Sequence, residues 1–335
     1  MSGVTIGDVA RLAGVTPGTV SNTLNHPNKV RESTRNAVET AIRELGYTPN
    51  QNARAMARGN LPLFGLVLPR FDHAFSLQIE NGAQSEAALH GYDILIAGAN
   101  NNDILQERHV QFFLGTQVAG LLVEPMATPH WQPAPPDDDI PTVYLDIHSA
   151  KPGHYVAPDN VMQGRMLASH ALDLGARHIA VIGKQVFKQL EMRSRGIVGV
   201  MATRPDVTLE FIDEGGWNSR SDGHELGRRL AERPKALRPD FLICLTDMLA
   251  AGSIEGVLDA GLHVPDDIRI AGCDGNQLAW DCPIPMTTFT PYGFEIARQG
   301  VRMLLEMIGK RTIDPAERKQ VLIEPVLMPR ASTLG

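Results

Sequence analysis

The first 46 residues carry apolar and polar positions at the spacing of short helices. Between positions 6 and 13 the apolar residues recur at i, i+3, i+4 and i+7, which is typical of a helix with one buried side. Thr5 precedes this run as an N-cap, Asp8 completes a capping-box-like start, and Gly14 is placed to end the helix. The pattern predicts a first helix over residues 6–13.

A second helix is predicted to begin within three residues of the first. Thr16 is a candidate N-cap, Pro17 occupies the favoured first helical position, and Val15 and Val20 stand at the spacing of a hydrophobic staple. This helix reaches position 24 or 25. Its predicted exposed residues are Gly18, Thr19, Ser21, Asn22 and Asn25. Two short helices across a tight glycine turn form a helix-turn-helix, whose second helix enters the DNA major groove.

A third helix completes the predicted headpiece core. Val38, Ala41, Ile42 and Leu45 give it one apolar stripe, and Gly46 stands at the expected C-cap. A three-helix bundle of this kind also occurs in proteins that never bind DNA. The hydroxyl and amide surface of the second helix favours DNA, because such groups suit phosphates and base edges.

Beyond residue 60, short apolar runs alternate with helical stretches. The candidate strands cover residues 64–68, 92–97, 120–124, 142–146, 179–183, 208–212, 240–245, 268–272, 286–290 and 320–326. The clearest helical stretches cover residues 75–90, 103–116, 160–174, 247–260 and 293–309. Such alternation predicts parallel sheets covered by helices, and ten strands exceed one comfortable sheet. We therefore expect an all-α headpiece followed by an α/β body of two lobes.

The charge distribution supports this division of the chain. The 335 residues carry a formal net charge of −7, which alone argues against nucleic-acid binding. Residues 1–60, however, hold seven basic and four acidic groups, so their net charge is +3 and the remaining 275 residues carry −10. A basic head on an acidic body is typical of a nucleic-acid module joined to a ligand or partner module.

Composition and motifs exclude several other classes. No apolar run approaches the roughly 18 residues of a membrane span, and the N-terminus does not resemble a secretion signal, so we expect a cytoplasmic protein. Three cysteines without CxxC spacing indicate neither a disulfide framework nor a zinc site. A GxGxxG after a strand, a P-loop, a GxSxG elbow and a paired-histidine metal motif are all missing. We therefore expect no cofactor, no metal and no enzymatic activity.

Two segments of the headpiece resemble the lactose/galactose-repressor (LacI/GalR) family of bacterial transcription regulators. They are VTIGDVARLAGVTPGTVSNTLN at residues 4–25 and ELGYTPN at residues 44–50. The resemblance implies phosphate contacts from Thr5, Thr16, Thr19, Ser21, Asn25, Tyr47 and Asn50. It implies base reading by Pro17, Gly18 and Asn22. Asn22 stands where arginine is frequent, and since asparagine pairs with the adenine edge, we expect an operator that differs from the usual half-site.

The resemblance also assigns a role to residues 47–60. In the family this segment is a hinge helix that orders on the operator and inserts an apolar wedge into the minor groove, which implies DNA contacts from Ala53, Arg54 and Met56. Met56 occupies the wedge position, where leucine is usual. The alternative is a plain flexible linker, because so short a helix is marginal in water.

The body resembles the family's periplasmic-binding-protein-like effector domain. Its landmarks are Asp159-Asn160, residues 174–183, Asp247 with residues 250–252, residues 261–267 with 271–274, and Thr287-Thr288. They imply an effector cleft between the lobes. The implied cleft residues are His73, Phe75, Asp146, Asp159, Arg195, Trp217, Asp247 and Asp274. The register allows Arg193 in place of Arg195, and Trp217 is similarly offset.

The expected domains are a headpiece at 1–46, a hinge or linker at 47–60, and a two-lobed effector-binding and dimerisation domain at 61–335. The N-lobe is expected over about 61–160 plus 291–320, and the C-lobe over about 161–290 plus 321–335. We expect a homodimeric repressor of carbohydrate or sugar-acid genes that binds a palindromic operator and a small-molecule effector, with no membrane partner. A purine or nucleoside effector is the alternative, and a non-regulatory sugar-binding protein is a third interpretation. No leucine heptads follow the last strand region, so a dimer is expected rather than a tetramer.

Overall fold

The computed structural model describes residues 4–47, 61–71, 74–126, 140–185, 187–213, 218–310 and 316–334. The chain divides into two compact units, residues 1–61 and residues 62–335. The first unit is the helical headpiece and the second is the α/β body.

The headpiece contains α1 (Ile6–Ala13), α2 (Pro17–Asn25) and α3 (Glu32–Leu45), with a short 3-10 turn at Pro27–Lys29. Its fully buried core side chains are Val9, Ala10, Val20, Val38 and Ala41. These positions lie on one side of each helix. The three helices predicted from the apolar spacing are therefore confirmed.

Local chemistry fixes where the headpiece helices begin and end. The Thr5 side chain accepts a hydrogen bond from the backbone N–H of Asp8, whose own side chain accepts one from the backbone of Thr5, which is a full capping box. Thr16 caps α2 through the backbone N–H of Thr19. Gly14 and Gly46 end α1 and α3 in left-handed conformations, with φ of 66° and 61°.

The body contains twelve strands and nine further helices within its described residues. The strands are β1 (Leu61–Leu68), β2 (Asp93–Gly98), β3 (Val118–Val123), β4 (Thr142–Leu145), β5 (Gly153–Pro158), β6 (His178–Ile182), β7 (Thr208–Ile212), β8 (Phe241–Cys244), β9 (Arg269–Ala271), β10 (Thr288–Phe289), β11 (Arg318–Ile323) and β12 (Leu327–Met328). The helices are α4 (Ala74–Leu89), α5 (Asp103–Gly115), α6 (Asn160–Asp173), α7 (Lys188–Met201), α8 (Arg220–Ala231), α9 (Asp247–Asp259), α10 (Leu278–Asp281), α11 (Gly293–Ile308) and α12 (Ala331–Leu334).

Two separate sheets form the two lobes of the body. The N-lobe sheet has the order β11-β5-β4-β3-β1-β2, and the C-lobe sheet has the order β7-β6-β8-β9. The C-lobe pairs are all parallel, as are the N-lobe pairs β1–β2, β3–β4, β4–β5 and β5–β11. The short β10 and β12 pair with each other in antiparallel fashion. The predicted fold class, a helical headpiece with a two-lobed α/β body, is confirmed.

The chain crosses between the lobes three times, after β5, after β10 and after β11. Its last N-lobe strand extends to Ile323, three residues beyond the expected boundary at 320. The strands β5 and β12 were not among the predicted strands. In β5, Gly153 and Pro158 enclose only four residues, and these do not alternate between apolar and polar positions. The strand is stabilised by its place in the sheet, between β4 and β11.

Glycines allow two pairs of C-lobe helices to pack with their backbones in contact. Gly164 of α6 and Gly196 of α7 face each other's helices, and Gly223 of α8 and Gly252 of α9 do the same. A Cβ atom on any of the four would collide with a backbone carbonyl of the opposite helix. These contacts fix α7 and α9, which carry polar side chains of the site described below.

Candidate functional site

One side of α2 presents polar and small residues to solvent. Pro17, Gly18 and Asn22 are exposed, whereas Val20 and Thr23 on the other side of the helix are buried. Thr16 is also exposed, and its hydroxyl lies 3.0 Å from that of Thr19. The start of α2 therefore offers backbone N–H groups, hydroxyls and an amide on one accessible surface, which suits contact with phosphates and base edges.

The body carries a polar cluster at the junction of its two lobes. Asp146 follows β4 of the N-lobe, whereas Asp274 follows β9 of the C-lobe. Hydrogen bonds cross the junction: Gln189 of α7 donates to the backbone carbonyl of Asp146 (2.8 Å), and Gln78 of α4 donates to that of Gly275 (3.1 Å). The carboxyl ends of parallel strands are where α/β sheets bind ligands. We call this junction the cleft.

Arg193 is the hub of the cleft. Its side chain is only 4% exposed, and its Nη1 lies 2.8 Å from Asp274 Oδ1. Its other hydrogen bonds run from Nη1 to the carbonyl of Leu245 (2.6 Å), from Nε to Asn160 Oδ1 (3.0 Å) and Gln163 Oε1 (3.1 Å), and from Nη2 to the Tyr292 hydroxyl (2.9 Å). A planar guanidinium presents five N–H donors, so most of them are committed to protein acceptors.

Asp247 and Asp274 hold each other in place. Asp274 Oδ2 accepts a hydrogen bond from the backbone N–H of Asp247, and Asp247 Oδ1 accepts one from the backbone N–H of Asp274, both at 2.9 Å. Asp247 also accepts hydrogen bonds from the Thr288 hydroxyl (2.7 Å) and the Asn276 backbone (2.9 Å). Burial and the nearby Asp274 carboxylate raise the pKa of Asp247 above its usual range. Both oxygens of Asp247 are thus occupied by internal donors.

The N-lobe side of the cleft holds two further carboxyl groups. Glu124 directly follows β3 and is 8% exposed, and Ser76 donates a hydrogen bond to it (3.1 Å). Burial, with repulsion from Asp146, raises the pKa of Glu124 to about 8. Burial, with repulsion from Asp274, raises the pKa of Asp146 to about 7 although Arg193 opposes the shift. Asp146 Oδ1 and Gln189 Oε1 are buried without a hydrogen-bond partner.

Comparisons with known proteins connect both sites to one family. Residues 5–50 match the family described as bacterial regulatory proteins, lacI family, and residues 168–333 match the periplasmic binding protein-like domain. The chain is 26% identical to the HTH-type transcriptional repressor PurR of Mannheimia succiniciproducens over 98% of each chain. It is 28% identical to the ribose operon repressor of Escherichia coli K12, over 98% of this chain and 99% of that one.

The chain belongs to the LacI family of bacterial regulatory proteins. It is a DNA-binding transcription regulator with a helix-turn-helix headpiece. The crystal structure of the lac repressor dimer bound to operator and the anti-inducer ONPF has the same fold, with a TM-score of 0.82 and 23% identity over 100% of both chains. Members of the family are transcription regulators rather than enzymes.

In this LacI-family chain, most of the residues predicted to contact DNA lie in the described part of the headpiece. Thr5 and Thr16 are exposed caps, Thr19 and Ser21 are partly exposed on α2, and Tyr47 packs against the headpiece core. The predicted contacts Asn50, Ala53, Arg54 and Met56 lie outside the described residues, as does the side chain of Asn25. The DNA contacts of all these residues remain predictions.

The predicted cleft residues differ in where the structure places them. Asp146, Asp247 and Asp274 lie together at the lobe junction. Phe75 is 5% exposed, with its ring centroid 5.5 Å from that of Tyr292, so it packs beside the cluster. Asp159 caps α6 by accepting a hydrogen bond from the backbone N–H of Met162 (2.9 Å). His73 and Trp217 lie outside the described residues.

Arg195 does not join the cluster. It is exposed on α7, whereas Arg193, two residues earlier, is buried at the hub. Two residues on a helix are separated by about 200°, so only one of these arginines can face inward. The buried residues of α7 include Leu190, Ile197 and Met201, and this stripe places position 193 on the inner side.

Sequence reasoning missed several residues of the cleft, among them Glu124, Gln189 and Tyr292. The signal for Glu124 was a carboxylate that directly follows a strand, next to the strand that Asp146 follows. Within the described part of the chain, no cluster of histidine, cysteine, aspartate and glutamate has the arrangement of a metal site. No described helix is both long and apolar enough to cross a membrane.

Proposed function

We propose that this LacI-family regulator is a repressor that binds a palindromic operator as a homodimer and changes its operator affinity when a sugar or sugar acid occupies the cleft. In this proposal residues 1–46 read the operator, residues 47–60 form the hinge, and residues 61–335 bind effector and dimerise. The cleft has a binding role without a catalytic step, and the protein acts in the cytoplasm.

Two features present in one chain support this proposal. The exposed face of α2 offers Asn22 and the start of a capped helix to DNA. The cleft offers unpartnered acceptor atoms, Asp146 Oδ1 and Gln189 Oε1, to a ligand. Sugar hydroxyls donate hydrogen bonds, so they complement acceptors of this kind. The 28% identity to a ribose operon repressor points to the same ligand class.

A purine or nucleoside effector is the second candidate, because the chain is also 26% identical to repressors named PurR. A flat base needs an accessible aromatic face for stacking. The described cleft aromatics, Phe75 and Tyr292, are 5% and 4% exposed and pack against each other. This packing favours the sugar over the purine.

Two measurements on the full chain test the proposal. Selection from a random DNA library should enrich a palindromic sequence, and the melting temperature should rise with a sugar or sugar acid, since a ligand that binds the native state stabilises it by mass action. If only purines and nucleosides raise the melting temperature, the effector is a purine or nucleoside and not a sugar. Failure to enrich any sequence would contradict the operator-binding role.

A further inference from the structure

Glu124 and Asp146 stand side by side at the carboxyl edge of the N-lobe sheet. Glu124 directly follows β3, Asp146 directly follows β4, and these strands are parallel neighbours in which Val123 pairs with Tyr144. Asp146 adopts a left-handed backbone conformation, with φ of 54°, where the strand ends. The sheet register therefore brings two carboxyl groups together at the cleft.

The two carboxyl groups have few donors among their described neighbours. Glu124 accepts a side-chain hydrogen bond from Ser76 of α4, and Asp146 Oδ1 is buried without a partner. From the C-lobe, Gln189 of α7 donates to the backbone carbonyl of Asp146 and leaves its own Oε1 unpartnered. Carboxylate oxygens accept several hydrogen bonds each, so this side of the cleft has spare accepting capacity.

The charges that face this pair do not neutralise it. Arg193 is the cation that acts on Asp146, and it already forms an ion pair with Asp274. Asp274 adds a third carboxylate, the Tyr292 phenol is held neutral by burial, and Ser76 carries no charge. Burial raises the pKa of both carboxyl groups, together with repulsion from Asp146 at Glu124 and from Asp274 at Asp146, so both are ionised only above about pH 8. Once both are ionised, an anionic ligand group here would meet repulsion.

We propose that Glu124 determines the specificity of the cleft: with Asp146 it forms a two-carboxyl subsite for a ligand group rich in hydrogen-bond donors, and it rejects ligand carboxylates and phosphates. The donors are either adjacent hydroxyls of a neutral sugar or a protonated amine. This inference rests on the proposed function and narrows it, because it removes sugar acids from the effector class.

Matched ligand sets test the assignment. The probes are glucose, glucosamine and glucuronate, then galactose, galactosamine and galacturonate, then ribose and ribose 5-phosphate. Melting temperatures of the full chain identify the set that binds, and calorimetry at pH 9, where both carboxyl groups are ionised, ranks its members. We expect the neutral or amine member to bind best and the acidic member to bind at least about tenfold more weakly, which corresponds to about 1.4 kcal/mol. Discrimination against the acidic member should grow between pH 6 and pH 9, because both carboxyl groups ionise over this range.

The variant Glu124→Gln removes one charge and keeps the shape of the side chain. It should reduce discrimination against the acidic member to about threefold or less, and Asp146→Asn provides a second variant with the same expectation. Glu107→Gln, on the exposed surface of α5, is the control and should leave the ranking unchanged. Tightest binding by the acidic member, or discrimination that is undiminished in both cleft variants, overturns the assignment but leaves the proposed function intact. If no member of any set binds, the sugar proposal fails together with this subsite.

Discussion

Arg193 and Asp274 form a buried ion pair in which Nη1 of the arginine lies 2.8 Å from Oδ1 of the aspartate. The same arginine donates to Tyr292, which lies between β10 and α11 on one of the crossovers. One side chain thus links a C-lobe helix, a C-lobe strand end and a chain crossover. Under the proposed function, a ligand that contacts this network would act on the relative position of the lobes.

Replacing Arg193 by lysine should strongly destabilise the body. Lysine keeps the charge but cannot reproduce the forked hydrogen bonds to Asn160, Gln163 and Tyr292. We expect a loss on the order of 3 kcal/mol in the free energy of unfolding, measured by urea denaturation. The matched control Arg195→Lys, exposed on the same helix, should change it by less than about 0.5 kcal/mol. Equal losses in the two variants would contradict the assignment of Arg193 as the hub.

Glu124 should make the stability of the body depend on pH. Its pKa is raised from 4.5 to about 8 in the folded protein, so the folded state holds a proton that the unfolded state releases. The stability linked to this group is present in full below pH 4.5 and is lost as the pH rises through 8.

The variant Glu124→Gln carries no such titration. Urea denaturation should therefore find it close to the wild type at pH 5 and more stable at pH 9, by an amount on the order of 3 kcal/mol. A difference between the two proteins that does not grow with pH would contradict the placement of this carboxyl in a buried, negatively charged site.

Gly252 should not tolerate a methyl group. A Cβ atom at this position in α9 would collide with the backbone carbonyl of Arg220 in α8, so Gly252→Ala must force the two helices apart. We expect a loss of about 2–3 kcal/mol by denaturation. In Gly199→Ala, by contrast, the methyl meets no atom within 4 Å, and replacing a helix-interior glycine should stabilise the protein by about 0.5–1 kcal/mol. A stabilised Gly252→Ala variant would show that these helices do not pack backbone to backbone.

Asn22 should read one base pair. It is exposed on α2, and the amide of asparagine can pair with the N6 and N7 edge of adenine. Asn22→Ala should weaken binding to the selected operator by about 1–3 kcal/mol and relax the preference at a single position in each half-site. Asn36→Ala, exposed on α3, is the control. The measurement is an anisotropy titration on a set of operator variants. If Asn22→Ala loses the same affinity on every variant, Asn22 contacts the DNA backbone and does not read a base.

Much of the headpiece was predictable because its signals are local. Thr5, Thr16 and Gly46 act within a few residues of their own positions, so the sequence contains the whole interaction. Strand β5 shows the opposite case, since its position between β4 and β11 depends on a partner more than 150 residues away. The sequence carries no local mark of such pairing.

The cleft was predicted only in part for the same reason. Asp146, Asp247 and Asp274 were implied by the family resemblance, and each also follows a strand. Glu124 was missed although it occupies an equivalent place, because its importance comes from the neighbouring strand that carries Asp146. Arg195 was preferred over Arg193 because the register of this segment was uncertain. The apolar stripe through Leu190 and Ile197 could have shown that position 193 faces inward.

Operator affinity with and without effector tests the regulator most directly. The operator selected by the full chain is labelled, and its dissociation constant is measured by anisotropy at fixed salt, alone and with a saturating amount of the sugar that raises the melting temperature most. Coupling between the headpiece and the cleft predicts at least about a fivefold change in affinity. An operator affinity that stays the same when the cleft is saturated would contradict an effector-responsive regulator.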